Sequence, residues 1–307
     1  MLGRKVTIEL VGGLGNQLFC YFAGLYISQI RECDLVPYKR KAAIGEIDHG
    51  SSIGSLLLKH KSAGFASFPV KLNKIVRQAL HLALVSPIAR SLGARDFSGF
   101  YSSTTLGFDP RLVEVTPGSY VRGYFQTYRY FDYLKEIGAV PKIGLLQQSS
   151  WFEEASNQIK LEQPLVMHVR RGDYLKPENS FIGALTSGYF TKALHEIRRV
   201  PGLENREVWI FSDDISSARA ELENRDLGPH KWITPPECSD PAETLLLMGM
   251  GAGVVISNST YSWWAAKLGT TKIVVAPSPW FMDHLEPIDL IPTDWLRVSS
   301  TWIDYNQ

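Results

Sequence analysis

The feature that most constrains the fold of this chain is the alternation in its second half. Short apolar runs at 165–169, 207–211, 231–234, 253–257 and 272–276 are separated by helical patterns at about 187–199, 215–224, 241–250 and 261–268. Apolar runs of this length, bounded by polar residues and turn signals, read as buried strands. Strands that alternate with helices imply a parallel sheet covered on both faces, because a parallel crossover needs a helix to carry the chain back. Right-handed crossovers gather the loops after the strands along one edge. Ligands of such sheets bind there, beyond the carboxyl ends of the strands.

Three loops on that expected edge are polar. The first is His168-Val169-Arg170-Arg171-Gly172-Asp173-Tyr174, straight after Pro164-Leu165-Val166-Met167. Arginine offers a planar fork of donors that matches phosphate oxygens. Strand parity puts His168 and Arg170 on one face and Arg171 on the other. Arg170 is therefore expected to take a phosphate and Arg171 to make a supporting ion pair. Gly172 allows a tight turn or a close approach. The plainer alternative is a surface loop with a structural Arg–Asp pair.

The second loop is Ser212-Asp213-Asp214. Adjacent strand residues point to opposite faces, which disfavours a shared divalent ion. Hydrogen bonding to a base or ribose by one aspartate and helix capping by the other suit the pair better. The third is Ser257-Asn258-Ser259-Thr260, which opens a helix whose stop is Gly269. Ser259 and Thr260 are cap residues, and a helix N-terminus favours an anion. Together the loops predict a nucleotide-phosphate site. In the same helix Trp263 and Trp264 cannot share one face. One is expected in the core and the other against the ligand, with joint core packing the alternative.

The first half begins with a strand at 5–11, a glycine turn and a helix from about 15 to 32. A further strand is expected near 120–125 and a helix over 128–137, while 39–103 gives no clear pattern. Pro141 and Gln147-Gln148-Ser149-Ser150 suggest a domain boundary near 140–160. Gly13-Leu14-Gly15-Asn16-Gln17-Leu18 matches only two glycines of the dinucleotide fingerprint, so it reads as a tight turn presenting Asn16 and Gln17 at a helix start. Gly50-Ser51-Ser52-Ile53-Gly54 has the form of a nucleophile elbow but lacks the strand before it.

Composition excludes several classes. Lys and Arg total 32 against 31 Asp and Glu, so no global field favours nucleic acid. At 307 residues two domains are expected. The three cysteines form no zinc or CxxC pattern, so they are expected as small core residues in a reducing compartment. The opening residues read as a strand rather than a signal peptide, and no apolar run reaches a membrane span. A cytoplasmic location is expected. The basic stretch from Lys71 to Arg95 reads as an amphipathic helix that either presents a solvated face or touches an anionic membrane surface.

Taken in order, Gly12-Gly13-Leu14-Gly15-Asn16-Gln17-Leu18-Phe19, Gly123-Tyr124-Phe125-Gln126, His168–Tyr174, Phe211-Ser212-Asp213-Asp214 and Ser257–Leu268 resemble the α-1,2-fucosyltransferases of glycosyltransferase family 11, bacterial type. The resemblance runs from about residue 5 to 280. It implies a GT-B-like fold of two Rossmann-like α/β domains. Residues 1–150 would form the acceptor side. Residues 151–307 would hold GDP-β-L-fucose, with the C-terminal tail packing back on the first domain. It implies inverting transfer of L-fucose to the 2-hydroxyl of a galactose residue in an oligosaccharide, with no metal or other cofactor.

The resemblance also implies residue roles. Arg170 holds the diphosphate, Asp213 or Asp214 reads guanine, Ser257, Asn258, Ser259 and Thr260 hold phosphate, and Asn16 faces the reacting centre. His168 and Arg171 complete the donor-binding set. Asp173 is a candidate base, its alternative being to orient Arg170 or Arg171; Glu46, Asp48 and His49 are other candidates. Two departures stand out. Cys20-Tyr21-Phe22 replaces the usual Gln-Tyr-Ala, which would alter acceptor fit, and Gly251-Ala252-Gly253 replaces a frequent Cys-x-His, a change read as packing. Fucose transfer through another linkage or to another acceptor is the alternative within enzymes; a non-catalytic nucleotide-sugar-binding protein and a membrane-docked interaction protein are the readings from other classes.

Overall fold

The computed structural model describes residues 4–39, 53–58, 96–97, 99–271, 273–283, 285–287 and 289–305. Glu46, Asp48, His49, the Gly50-Ser51-Ser52 part of the elbow-like string and the basic stretch from Lys71 to Arg95 lie outside them. Two compact units form. The first takes the described residues of Met1–Gly12, Asn16–His49 and Lys59–Lys142; the second takes those of Gly13–Gly15, Gly50–Leu58 and Ile143–Gln307. Each is α/β with a largely or wholly parallel sheet, as a GT-B-like chain requires.

In the first unit, β1 (Lys5–Leu10) lies between β2 (Asp34–Lys39) and β6 (Tyr120–Arg122), parallel to both. β5 (Phe100–Ser102) continues the parallel set, and β4 (Asp96–Phe97) closes it antiparallel. Helix α1 (Leu14–Ile30) returns the chain from β1 to β2. It is buried through Leu18–Leu25, so it reads as an apolar run rather than a striped helix. Helix α2 (Arg129–Glu136) follows β6 and buries Tyr130, Phe131 and Leu134. Cys20, Tyr21 and Phe22 are all within 2% of full burial, so this departure from the family string lies in the core of the first unit. Burial pushes the Cys20 thiol up to about 12. The expectation of three core cysteines is corrected too: Cys33 is half-buried and Cys238 exposed.

The second unit carries a six-stranded sheet, all parallel, in the order β10-β9-β8-β11-β12-β13. The strands are β8 (Leu165–Val169), β9 (Val208–Ser212), β10 (His230–Trp232), β11 (Gly253–Val255), β12 (Val274–Ser278) and β13 (Leu296–Ser299). A short antiparallel pair, β3 (Leu56–Leu58) with β7 (Ile143–Leu145), also belongs here. The helices are α3 (Ser150–Glu162), α4 (Ser187–Arg198), α5 (Ile215–Leu222), α6 (Pro241–Met248) and α7 (Thr260–Leu268). Leu165, Met167 and Val169 of β8 join Ala193, Leu194 and Ile197 of α4 in one core, which leaves Val166 and His168 on the opposite face.

The C-terminal tail adds β13 to the edge of the second unit's own sheet, and Trp302 bridges to Leu185 there. Trp263 and Trp264 are both fully buried, in edge-to-face contact at 4.8 Å, so neither lines a ligand. Ser262 to Ala266 are buried as a run, so the middle of this helix has no face to spare for a ligand. Gly251 and Gly253 do serve packing: a Cβ on them would stand 2.7 Å from Val166 Cγ2 and from Ile197 Cδ1 respectively.

Candidate active site

The chain leaves β8 at Val169 and turns at once. Arg171 takes an irregular backbone, Gly172 has φ +35°, and a 3-10 turn runs from Gly172 to Leu175. The turn holds Arg170 at the carboxyl edge of the sheet. Its guanidinium donates to Asp173 Oδ1, and Nη1 lies 3.1 Å from Asp213 Oδ2. It also stands over the Tyr174 ring, 5.1 Å from the centroid. Burial works against this charge, but Asp213, Tyr174 and Asp173 outweigh it and the pKa is raised above the ordinary arginine value. The side chain keeps a quarter of its surface exposed. Arg170 is thus a charged fork held by carboxylates on two sides and by a ring, and still open to solvent.

Arg171 is different. Its side chain is 1% exposed, and its nearest carboxylate is Glu221 Oε2 of α5 at 3.6 Å. That separation is an ion pair but not a hydrogen bond. Burial lowers its pKa, and Glu221 and Asp213 only partly offset this. The backbone N–H of Arg171 donates to Asp213 Oδ1 at 2.8 Å. Asp213 therefore ties the turn to Arg170 through both of its oxygens.

Asp214 caps α5. It accepts from Ser217 Oγ at 2.6 Å and from Ser217 N at 3.0 Å, and those two bonds hold its carboxyl below the usual aspartate range. Capping by one aspartate and a different task for the other is the division expected of the pair. Among the described residues no group of three or more His, Cys, Asp or Glu side chains is placed to hold a metal ion.

The third loop meets the start of the first in a buried contact. His168 is 3% exposed and Ser257 1%, and their Nδ1 and Oγ lie 2.9 Å apart. Burial, with the nearby Arg170 charge, lowers the imidazole pKa to about 3. Asn258 is also 1% exposed and donates to Gly183 O at 2.8 Å. With Arg171, whose side chain is 1% exposed, these residues are buried at the carboxyl edge of the sheet, and polar atoms of Arg171 and Asn258 lack a hydrogen-bond partner there. The reason is local: β8 and β11 are interior strands, so side chains at their ends remain covered. Ser259 caps α7, accepting from Tyr261 N at 3.3 Å. Thr260 follows as the first helical residue.

Gly15 explains part of the glycine turn. A Cβ there would stand 2.4 Å from Thr260 C and 2.6 Å from Tyr261 N. The backbone of the turn thus lies against the first turn of α7, an approach that only glycine permits. Asn16, next in the chain, belongs to the first unit, where its Oδ1 accepts from Gln126 Nε2 at 3.0 Å.

A family model described as glycosyl transferase family 11 matches residues 116–296, more than half of the chain. The chain belongs to that family. The matched stretch contains all three polar loops. This family 11 glycosyltransferase is 27% identical over 308 residues to an alpha-1,2-colitosyltransferase of Escherichia coli, covering 95% of this chain and 98% of the relative. It is 39% identical over 120 residues to the O-antigen biosynthesis glycosyltransferase WbnK of Escherichia coli, covering 38% of each. Among solved structures it is similar to a NodZ alpha-1,6-fucosyltransferase soaked with GDP-fucose, at 12% identity and a TM-score of 0.49, covering 87% of this chain and 93% of the other. A likeness of that size says nothing about substrate.

Arg170, Arg171, Asp173, Asp213, Asp214 and Ser257 to Thr260 stand together at the carboxyl edge of one sheet. Two contributors carried no role in the sequence reading: Tyr174, under the Arg170 guanidinium, and Glu221, the partner of Arg171. Tyr174 closed the first motif and was there to be read. Glu221 lies on a neighbouring helix at no fixed spacing from Arg171, and the sequence carries no signal for the pair.

Proposed function

We propose that the chain transfers L-fucose from GDP-β-L-fucose, with inversion, to the 2-hydroxyl of a galactose residue in an oligosaccharide of the O-antigen type. No metal is used. Arg170 carries this reading: it is a charged, ring-stacked fork still open to solvent at the carboxyl edge of the sheet. As the bond from the anomeric carbon to the diphosphate breaks, negative charge grows on the leaving oxygens. A donor fixed in advance stabilises that charge without reorganising. Arg170 and the first turn of α7 are the donors here. Asp213 or Asp214 reads guanine; Asp213 also ties Arg170 to the turn, and Asp214 also caps α5. Asn16 faces the reacting centre, and Asp173 orients Arg170. The proton of the acceptor hydroxyl has no base assigned among the described residues.

A second reading has its own support. A relative spanning nearly the whole chain is named a colitosyltransferase. Colitose is fucose without its 3-hydroxyl, so the same fork and turn would serve a colitose donor. The reaction is expected in the cytoplasm, with the stretch from Lys71 to Arg95 as a contact to the inner membrane face.

The test is GDP release in excess EDTA from GDP-fucose and from GDP-colitose, with and without lactose or N-acetyllactosamine. Acceptor-stimulated release from GDP-fucose supports the first reading, and linkage analysis of the product then checks the 2-hydroxyl. Release from GDP-colitose alone moves the assignment to the second. Saturable GDP binding with no release from either donor supports a nucleotide-sugar-binding protein.

A further inference from the structure

Gln126 closes the string Gly123-Tyr124-Phe125-Gln126. It is 7% exposed, and its Nε2 donates to Asn16 Oδ1 at 3.0 Å. The backbone is shaped for this contact. Phe125, a bulky aromatic, has φ +52°, a conformation that non-glycine residues adopt rarely and at a cost. Its ring folds over Gly123, where a Cβ would stand 2.6 Å from Phe125 Cζ. The N–H of Gln126 is tied to Leu106 O at 2.6 Å, and the next N–H, of Thr127, donates back to Phe125 O at 2.8 Å. A strained turn, anchored on both sides, delivers one side-chain amide to Asn16.

The contact decides what Asn16 offers. An asparagine amide has an accepting oxygen and a donating nitrogen. Gln126 donates to that oxygen, taking one of its two lone pairs, and so fixes which end of the amide is which. Nδ2 lies over Gly12, where a Cβ would stand 2.8 Å from it and where φ is +66°. We infer that Gln126 is a positioning residue that fixes the orientation of the Asn16 amide, so that its N–H donors are the groups it offers to the reaction. Asn16 then serves as a hydrogen-bond donor and does not take the acceptor's proton. The inference rests on the proposed role of Asn16 at the reacting centre.

The test compares Asn16→Ala, Gln126→Met and the double variant in steady-state transfer, with GDP affinity and thermal unfolding measured on each. Gln126→Met keeps the volume and removes the donor. The expected result is a kcat about tenfold lower, on the scale of one lost hydrogen bond, with GDP affinity unchanged. The double variant should be no slower than Asn16→Ala alone, because Gln126 acts only through Asn16. Additive losses, or a normal kcat for Gln126→Met while Asn16→Ala is slow, would overturn the inference and leave the role of Asn16 standing. Full activity of Asn16→Ala would remove that role itself. Gln126→Glu is the check on direction, because a carboxylate can only accept from Asn16. It should be as slow as Gln126→Met, and wild-type turnover with a normal melting temperature would show the opposite amide orientation.

Discussion

The Cβ that Gly172 lacks would stand 2.3 Å from Oδ2 of Asp213. The same oxygen lies 3.1 Å from Arg170 Nη1, while Oδ1 holds the Arg171 N–H. An alanine at 172 could be relieved by rotating Asp213, but that rotation would release both arginine contacts. The backbone adds its own strain, since φ is +35°. Gly172→Ala is therefore expected to weaken GDP binding by about tenfold or more, from local strain on the order of 1–3 kcal/mol. Titration calorimetry with GDP checks this, and an unchanged Kd would detach Asp213 from the donor site.

Arg170 should show the difference between charge and shape. Removing one preorganised donor costs roughly 3–4 kcal/mol in the transition state, so Arg170→Ala should lose two to three powers of ten in kcat. Arg170→Lys keeps the charge but not the fork that spans Asp173, Asp213 and Tyr174. It should recover only part of the rate. Donor turnover under saturating acceptor measures both, and near-normal kcat for Arg170→Ala would sink the assignment.

His168 gives the fold a pH signature. Its imidazole is buried against Ser257, and burial first, then the Arg170 charge, brings its pKa from 6.5 to about 3. Between those values the unfolded chain binds a proton that the native chain does not. Stability therefore falls as pH falls through this window, and it is unaffected by this group above about pH 7. From pH 7 to pH 5 the contribution lost is on the order of 2 kcal/mol. Urea unfolding at the two pH values should show a smaller loss for His168→Gln than for the natural chain. Equal losses would mean that this histidine titrates normally in the fold.

What could be read in advance follows the physics of burial. β8, Leu165–Val169, coincides with its expected span because an interior strand is apolar throughout and ends at a charge. β13 gave no signal: Leu296, Arg297 and Ser299 are exposed, and only Val298 turns inward. Helix α3 was overlooked because Gln147-Gln148-Ser149-Ser150 looked like a linker, although Ser149 is its N-cap, accepting from Phe152 N at 3.1 Å. Capping by one member of the Asp213–Asp214 pair was legible from their place before a helix, but which of them caps was not. The sealing of His168, Ser257 and Asn258 was not, because polar residue type alone does not say which loop atoms the neighbouring strands cover.

The last prediction concerns the end of the sheet away from these loops, where α6 and α7 finish against each other. A Cβ on Gly269 would stand 2.2 Å from Gly249 O and 2.5 Å from Gly249 Cα. One on Gly249 would stand 2.4 Å from Ala265 O. Thr270 N donates to Gly249 O at 3.0 Å, so the two helix ends are pinned backbone to backbone. No side chain can rotate away to make room. Gly269→Ala must separate the helices, and overpacking of this kind costs about 1–3 kcal/mol. Gly144→Ala is the matched control, since a Cβ there meets nothing within 4 Å. Urea unfolding should show a lower midpoint with an unchanged slope for Gly269→Ala and little change for Gly144→Ala. Equal midpoints for the two variants would mean that the helix ends are free to part, and that the glycines are not required by packing.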